Sequence, residues 1–357
     1  MPSISHPPSR LTPLSDLTEN RLPAVSVVSP VFNEADGIAV FVNTVRDVLS
    51  NGVFAGELHR HWEIILVDDG STDNTWNVLK QLHAEDARVK IVRFSRNFGV
   101  QMATSAGLRY ASGHAVITMD SDLQHPPELI PQMVQLWKSG IDYVYTVRKY
   151  DKQTGTVKRF LSAAFRKILN SLSEVSMPEG LCDYRLLDRK IVDTVNSMNE
   201  QSRFLRAMVS SLGFRQQSLE FETNRRFAGT TKFSLSKLIK LSMDSITSFS
   251  AMPLRWITYT GLSVAVFSIF YGLYIVADTV FRGIDTPGFP TLIAAISFLG
   301  GMQLIALGIL GEYVGRIYLE TKHRPLFVVQ EENGFDVHQP ALTSATSAAA
   351  KETGKAA

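Results

Sequence analysis

Two aspartates, Asp120 and Asp122, terminate the apolar, β-branched run His114-Ala-Val-Ile-Thr-Met-Asp-Ser-Asp122. Side chains two residues apart in extended backbone point the same way, so the pair can offer hard oxygen ligands to one divalent cation. A Mg2+ or Mn2+ ion held by two carboxylates keeps open positions and commonly completes its shell with substrate phosphates. Taken alone, Asp-Ser-Asp is equally ordinary turn chemistry at a strand end. Two more polar elements follow apolar runs, Pro30-Val-Phe-Asn-Glu34 and Asp68-Asp-Gly-Ser-Thr-Asp-Asn-Thr75. Each by itself is compatible with a turn and a helix cap.

Chemistry from three separate elements requires a scaffold that gathers strand ends. Residues 24 to 147 supply it by alternating apolar strands with amphipathic helices. Strands are predicted at Ala24–Ser29, Glu63–Val67, Val89–Phe94, Ala115–Met119 and Asp142–Val147, and helices at Gly37–Leu49, Asn74–His83, Val100–Tyr110 and Pro127–Lys138. The last opens on a proline pair suited to a first helical turn. This alternation predicts an α/β fold with a doubly wound, mainly parallel sheet and helices on both faces, whose ligands gather at the carboxyl ends of the strands. Asn33 and Glu34, Asp68 and Asp69, and Asp120 and Asp122 all fall there.

The second half of the chain changes character. Between Arg255 and Asp278 lie 22 uncharged residues, Trp256–Ala277. As a helix they span roughly 33 Å at about 1.5 Å each, enough for a hydrocarbon core of roughly 30 Å. A second uncharged stretch runs from Thr286 to Gly311. These explain a hydrophobic fraction of 45% and a mean hydropathy of +0.03. Lys237, Lys240 and Arg255 precede the first span, Arg316, Lys322 and Arg324 follow the second, and Arg282 is the one basic residue between. By the positive-inside rule both outer ends face the cytoplasm. The first residues lack an apolar signal-peptide core, so the N-terminal domain is expected to stay there.

Residues 157–172 place Phe160, Leu161, Phe165, Ile168 and Leu172 at helical spacing among Lys158, Arg159, Arg166 and Lys167. The pattern suits either a basic helix on a membrane surface or a core helix with a charged outer face. A further amphipathic stretch fills residues 234–252. Cys182 is the single cysteine, which excludes an intramolecular disulfide and a thiolate cluster. A net charge of +2 gives no indication of nucleic acid, and the basic residues collect near the spans, where anionic lipid is the simpler partner.

Taken in order on this alternation, the three acidic elements resemble the family 2 glycosyltransferases with the GT-A fold. The resemblance narrows to the polyprenyl-phosphate glycosyltransferases through Arg148, Lys158-Arg159, Ser162, Cys182-Asp-Tyr-Arg-Leu-Leu-Asp188, Arg226-Phe-Ala-Gly-Thr-Thr-Lys-Phe233 and Gly311-Glu-Tyr-Val-Gly-Arg-Ile-Tyr318. It covers roughly residues 24 to 330. It implies that Pro30, Phe32, Glu34, Asp68 and Asp69 hold the nucleobase and ribose of a nucleotide sugar. It implies that Asp120, Asp122 and Gln124 bind the Mg2+ or Mn2+ that bridges the diphosphate, Asp122 being catalytic in that sense. Arg226 and Lys232 resemble cationic partners of the phosphates or of the acceptor. Arg148, Lys158, Arg159 and Ser162 are assigned to the lipid phosphate.

Asp183 is the family's usual candidate for catalytic base. A lipid phosphate is already anionic near neutral pH, its second pKa being about 6, so Asp183 either takes a proton or orients a substrate. The chain departs from many relatives at Thr154, where a Glu is common, and at Gly180-Leu-Cys182, where Asp-Thr-Gly is common. Cys182 reads as a small packing residue.

The function implied is inverting transfer of one sugar, glucose from UDP-glucose as first choice, to polyprenyl (undecaprenyl) phosphate at the cytoplasmic face of the membrane. A processive polysaccharide synthase is a rival, but the chain has no Gln-x-x-Arg-Trp segment and only two spans. A non-catalytic scaffold or lipid-sugar carrier is the other, opposed by the retained carboxylates, which repel one another without a cation. The expected organisation is a disordered segment at 1–22, a catalytic domain at 23–233, interface helices at 234–253, a transmembrane hairpin at 254–313 with spans near 256–278 and 289–313, a juxtamembrane segment at 314–333 and a disordered tail at 334–357. Gly300, Gly301, Gly308, Gly311 and Gly315 give the second span a small-residue side on which a homo-oligomer, or the first span, can pack.

Overall fold

The computed structural model describes residues 24–51, 62–148, 181–198, 200, 201, 203–221, 252–282 and 288–335. The chain divides into two compact units, one holding residues up to Gln132 together with those from Phe327 onward, the other Met133–Leu326.

In the first unit, β1 (Val25–Val31), β2 (Trp62–Asp68), β3 (Val89–Phe94) and β4 (Ala115–Thr118) alternate with α1 (Ile38–Asn51), α2 (Thr75–Glu85) and α3 (Val100–Tyr110). The strands lie parallel in the order β4-β1-β2-β3. Their apolar runs are buried on both faces, as a sheet covered by helices on either side requires. Gly107 marks the closest approach of α3 to the sheet: a Cβ there would lie 2.1 Å from Val28 Cγ1. Glu63, inside the core, is satisfied by Ser26 Oγ at 2.6 Å, the Ser112 N–H at 2.8 Å and an ion pair with Lys90 at 2.7 Å.

Observed strands and helices in this half fall within two residues of those predicted, with one change. The proline pair opens a single 3₁₀ turn, Pro127–Leu129, and the α-helix proper, α4, begins at Ile130 and ends at Lys138.

The second unit contains β5 (Tyr143–Arg148), β6 (Leu181–Asp188) and β7 (Gln216–Phe221), with β5 central, antiparallel to β6 and parallel to β7. Between β6 and β7 lie α5 (Arg189–Ser197), capped by the Asp188 carboxylate on the Lys190 N–H, and α6 (Leu205–Ser211). The helices α7 (Met252–Arg282) and α8 (Phe289–Thr321) follow. Both are long and apolar enough to cross a membrane over Leu254–Ile275 and Phe298–Thr321. Their large apolar side chains point outward, Phe267 being 70% exposed, a surface that needs a bilayer or a partner to cover it.

The segment expected to be merely juxtamembrane is built differently. Helix α8 continues to Thr321, and β8 (Val329–Asn333) then adds antiparallel to β3, at the edge of the first unit's sheet. Gly334 and Phe335, assigned from sequence to the disordered tail, sit against His83 and Tyr110. The expected disorder of 1–22 and of the tail beyond Phe335, the expected amphipathic helix at 157–172 and all of the expected interface helices at 234–253 except Met252 and Pro253, which open α7, lie outside the described residues.

Candidate active site

Three strand ends and one loop of the first unit surround a cavity of about 330 Å³. Pro30, Val31, Phe32 and Glu34 come from the end of β1, Asp69 from the end of β2, Asn97, Gly99 and Val100 from the loop entering α3, and Asp120, Ser121 and Asp122 from the end of β4. The size falls within the range of roughly 300–1,000 Å³ typical of small-molecule sites, at the strand ends where open parallel sheets bind ligands.

The first two acidic elements are laced together by hydrogen bonds. The Asn33 N–H donates to Ser71 Oγ, the Thr72 N–H returns a bond to Asn33 Oδ1, and the Glu34 N–H donates to Thr75 Oγ1, each at 2.9 Å. Asn33 adopts φ +54, which asparagine tolerates better than most residues. The Glu34 carbonyl then accepts from the N–H groups of Gly37 and Ile38 at the start of α1. The turn that looked like a cap in the sequence therefore clamps the wall formed by Phe32 and Glu34, and Phe32 is left 44% exposed.

Asp68 and Asp69 diverge although adjacent. Asp68 is fully buried; its Oδ1 accepts from the Ser71 N–H and its Oδ2 lies 3.4 Å from Arg93 Nε. It is absent from the described lining of the cavity. Asp69 lines the cavity, and its two oxygens accept from the N–H groups of Phe98 at 2.7 Å and Gly99 at 2.9 Å. Burial pushes the carboxyl of Asp69 above its ordinary range against the pull of those two bonds. Gly70, at φ +69, lets this arrangement close: a Cβ there would lie 2.5 Å from the Arg96 carbonyl carbon.

Asp120 and Asp122 both line the cavity, as does Ser121 between them, because they lie in the turn after β4 and not in the extended backbone that the spacing argument assumed. The Asp120 N–H lies 3.2 Å from Nδ1 of the buried His125, and the same ring nitrogen lies 3.7 Å from the Asp120 carboxylate. Asp122 accepts from the Gln124 N–H at 3.1 Å and from Gln124 Nε2 at 2.8 Å. Leu123 between them holds φ +58, a left-handed conformation costing roughly 1–2 kcal/mol for a residue with a Cβ. Among the described residues no group of three His, Cys, Asp or Glu side chains is placed to hold a metal.

Asp183 lies on β6 of the second unit, clamped by Arg206 through Nε at 2.9 Å and Nη2 at 2.6 Å and by Arg185 Nη2. Charge-assisted bonds of this kind are shorter and stronger than neutral ones and fix the carboxylate in place. Burial pushes the neighbouring Cys182 thiol upward, in keeping with packing rather than nucleophilic use. Arg148 ends β5. Lys158, Arg159, Ser162, Arg226 and Lys232 lie outside the described residues. The sequence reading missed Asn97, Gly99, Val100, His125 and Arg206. Gly99, immediately before α3 with φ +99, is the one signal that could have drawn attention to its loop.

A family model described as glycosyl transferase family 2 matches residues 26–195, and one described as the GtrB C-terminal hairpin matches residues 252–317. The bactoprenol glucosyl transferase of Shigella phage SfV is 40% identical over 308 residues, covering 86% of this chain and 98% of that protein. An uncharacterized glycosyltransferase of Synechocystis sp. is 39% identical over 312 residues, covering 87% of this chain and 96% of its own. Among solved structures, a mannosyltransferase from Pyrobaculum calidifontis, in complex with GDP-Man and Mn2+, matches at a TM-score of 0.43 and 14% identity over 82% of this chain and 87% of that one. With relatives near 40% identical over almost their whole lengths, the chain belongs to glycosyl transferase family 2 and is a glycosyltransferase.

Proposed function

We propose that the protein transfers glucose from UDP-glucose to polyprenyl phosphate, with inversion, on the cytoplasmic face of a membrane. The observation that carries the reading is the cavity at the ends of β1, β2 and β4, which brings Pro30, Phe32, Glu34, Asp69, Asp120 and Asp122 together from three separate sequence elements. The family relationship and the names of the relatives support the acceptor and the sugar.

In this reading the exposed Phe32 ring and the Pro30 edge form the apolar surface for a nucleobase, while Glu34 and Asp69 are hydrogen-bond acceptors for base and ribose. Among the described residues the cavity wall holds four carboxylates, Glu34, Asp69, Asp120 and Asp122, and neither lysine nor arginine. An anionic diphosphate would be repelled by such a wall unless a cation compensates, so the donor set fits a divalent ion. Asp120, whose side chain is 43% exposed, and Asp122 would hold it, with the Gln124 amide beside them. Bound there, Mg2+ or Mn2+ supplies Lewis-acid stabilisation of the leaving diphosphate.

The triple bonding of Asp183 to Arg185 and Arg206 favours an orienting role, and an acceptor phosphate that is already ionised needs no strong base. Arg148, Lys158, Arg159 and Ser162 are the candidates to bind that phosphate, and Arg226 and Lys232 to approach either substrate. The two apolar helices would form a hairpin with both outer ends cytoplasmic, and the open glycine side of α8 supports close packing in a homo-oligomer.

Transfer of labelled sugar from a panel of nucleotide sugars into butanol-extractable lipid, with and without divalent metal, tests the reading. Label entering lipid from UDP-glucose only when metal is present is expected. Incorporation into polymer, or none from any donor, overturns it. For topology, a cysteine at Gly283 in a Cys182→Ala background should react with a membrane-impermeant reagent from outside, and one at Ser344 should not.

A further inference from the structure

The chain leaves α8 at Thr321 and, within a few residues, becomes a strap on the first unit: Phe327 and Val328 dock beside β3, and β8 pairs with it. A strand covering an otherwise open sheet edge has a purely protective explanation. Two chains of contact that start on this strap go further, and both end at the candidate donor cavity.

The first begins at Phe327, stacked on Phe94 with ring centroids 5.0 Å apart. Phe94 is fully buried and meets Phe98 edge-on at 5.6 Å. The Phe98 N–H is one of the two donors that hold Asp69, and the loop it belongs to supplies Asn97, Gly99 and Val100 to the cavity wall. The Ser95 N–H, between the two rings in sequence, donates to the Val328 carbonyl at 3.0 Å, which fixes where this loop departs from β3. The second begins at Glu331, whose Oε2 accepts from Trp76 Nε1 at 3.1 Å. The Arg93 guanidinium lies over the Trp76 ring at 5.5 Å and reaches Asp68 Oδ2. Asp68 holds the Ser71 N–H, and Ser71 Oγ accepts from Asn33, between the cavity residues Phe32 and Glu34. Two parts of the wall of one cavity are thus braced from the same short segment.

We infer that Phe327 and Glu331 are positioning residues of the donor site, setting through Phe94–Phe98 and Trp76–Arg93 where Asp69 and the Phe32–Glu34 wall stand. The inference rests on the nucleotide-sugar reading given above. Because the strap is continuous in sequence with the second apolar helix, the donor site is braced by the part of the chain that follows the membrane hairpin.

The test uses full-length protein in lipid nanodiscs, with UDP binding measured calorimetrically in the presence of Mn2+ and with separate KM values for UDP-glucose and for polyprenyl phosphate. Phe327→Ala and Glu331→Ala are expected to raise the Kd for UDP and the KM for UDP-glucose by roughly three- to tenfold, the scale of one lost aromatic or buried polar contact, while the KM for the lipid stays within about twofold. Phe327→Tyr and Glu331→Gln, which preserve the ring and an acceptor oxygen, should restore donor affinity, and Gln330→Ala, outward-facing on the same strap, should match wild type. In a double-mutant cycle the effects of Phe327→Ala and Asp69→Asn on UDP affinity should fall short of additive. Should Phe327→Ala not accumulate as folded protein, Phe327→Leu, which keeps bulk but removes stacking, is read in its place. Variants that lose thermal stability yet bind UDP as wild type does reduce the strap to edge protection and overturn the inference. Wild-type protein that binds no UDP overturns the proposed function and this inference with it.

Discussion

Replacing Asp69 by asparagine isolates the contribution of one carboxylate to the donor wall. Both oxygens are committed, one to the Phe98 N–H at 2.7 Å and one to the Gly99 N–H at 2.9 Å. Asparagine offers a single acceptor, so its amide NH2 is driven against one of the two donors. The loss is one hydrogen bond to a charged group, about 1.5–3 kcal/mol, together with a part-buried N–H of Phe98 or Gly99 left poorly paired beside residue 69, itself 3% exposed. Relief of the desolvation that raises the Asp69 pKa offsets part of this. A net local cost of about 2 kcal/mol remains, and if nucleotide binding requires the loop in place, affinity for UDP falls roughly 30-fold at 1.4 kcal/mol per decade. Titration calorimetry with UDP and saturating Mn2+ measures it directly, with circular dichroism to confirm the fold. UDP affinity within threefold of wild type would show that the 97–100 loop does not shape the nucleotide site, and the assignment of Asp69 would fall with it.

Asp122→Asn is expected to abolish sugar transfer while the protein still folds and inserts, and EDTA should stop the wild type; undiminished turnover of the variant at saturating metal would remove the metal site from the scheme. Lys158→Ala with Arg159→Ala should chiefly raise the lipid-phosphate requirement, whereas a collapse of UDP binding with unchanged lipid dependence would assign the pair to the donor instead. Glu63→Gln should lower stability by about 2 kcal/mol near neutral pH, because it breaks a largely buried pair whose Lys90 partner can still reach water. Burial opposes ionisation of Glu63, but Lys90, Ser26 and Ser112 outweigh it and hold its folded pKa below the ordinary value. Its contribution is therefore complete above about pH 4.3, the unfolded value, and is lost as pH falls through the folded one, so the gap between variant and wild type should narrow on acidification. A gap in denaturation midpoint that stays constant from neutral to acid pH would refute the ion-pair account.

The sequence by itself determined those features whose cause is local. Buried runs such as Val25–Val31 and Trp62–Asp68 read as strands because a parallel sheet covered on both faces needs continuous apolar sequence. The apolar run before Asp120 and Asp122 placed them just beyond a strand end, and unbroken apolar length identified α7 and α8. The partners of those residues were decided elsewhere in the chain. Nothing near Asp69 indicates that Phe98 and Gly99 will donate to it, and nothing near Asp68 that Arg93 will pair with it while its neighbour turns to the cavity. Nothing near Asp183 indicates that Arg206, on another element, will donate to its carboxylate. The strap is the plainest case: Val329–Asn333 has too little apolar alternation to announce a strand, and becomes one because β3 presents an unpaired edge more than two hundred residues earlier in the chain. Periodicity is a property of a few consecutive residues, whereas hydrogen-bond and ion-pair partners are set by register between distant segments, which only the packed tertiary structure specifies.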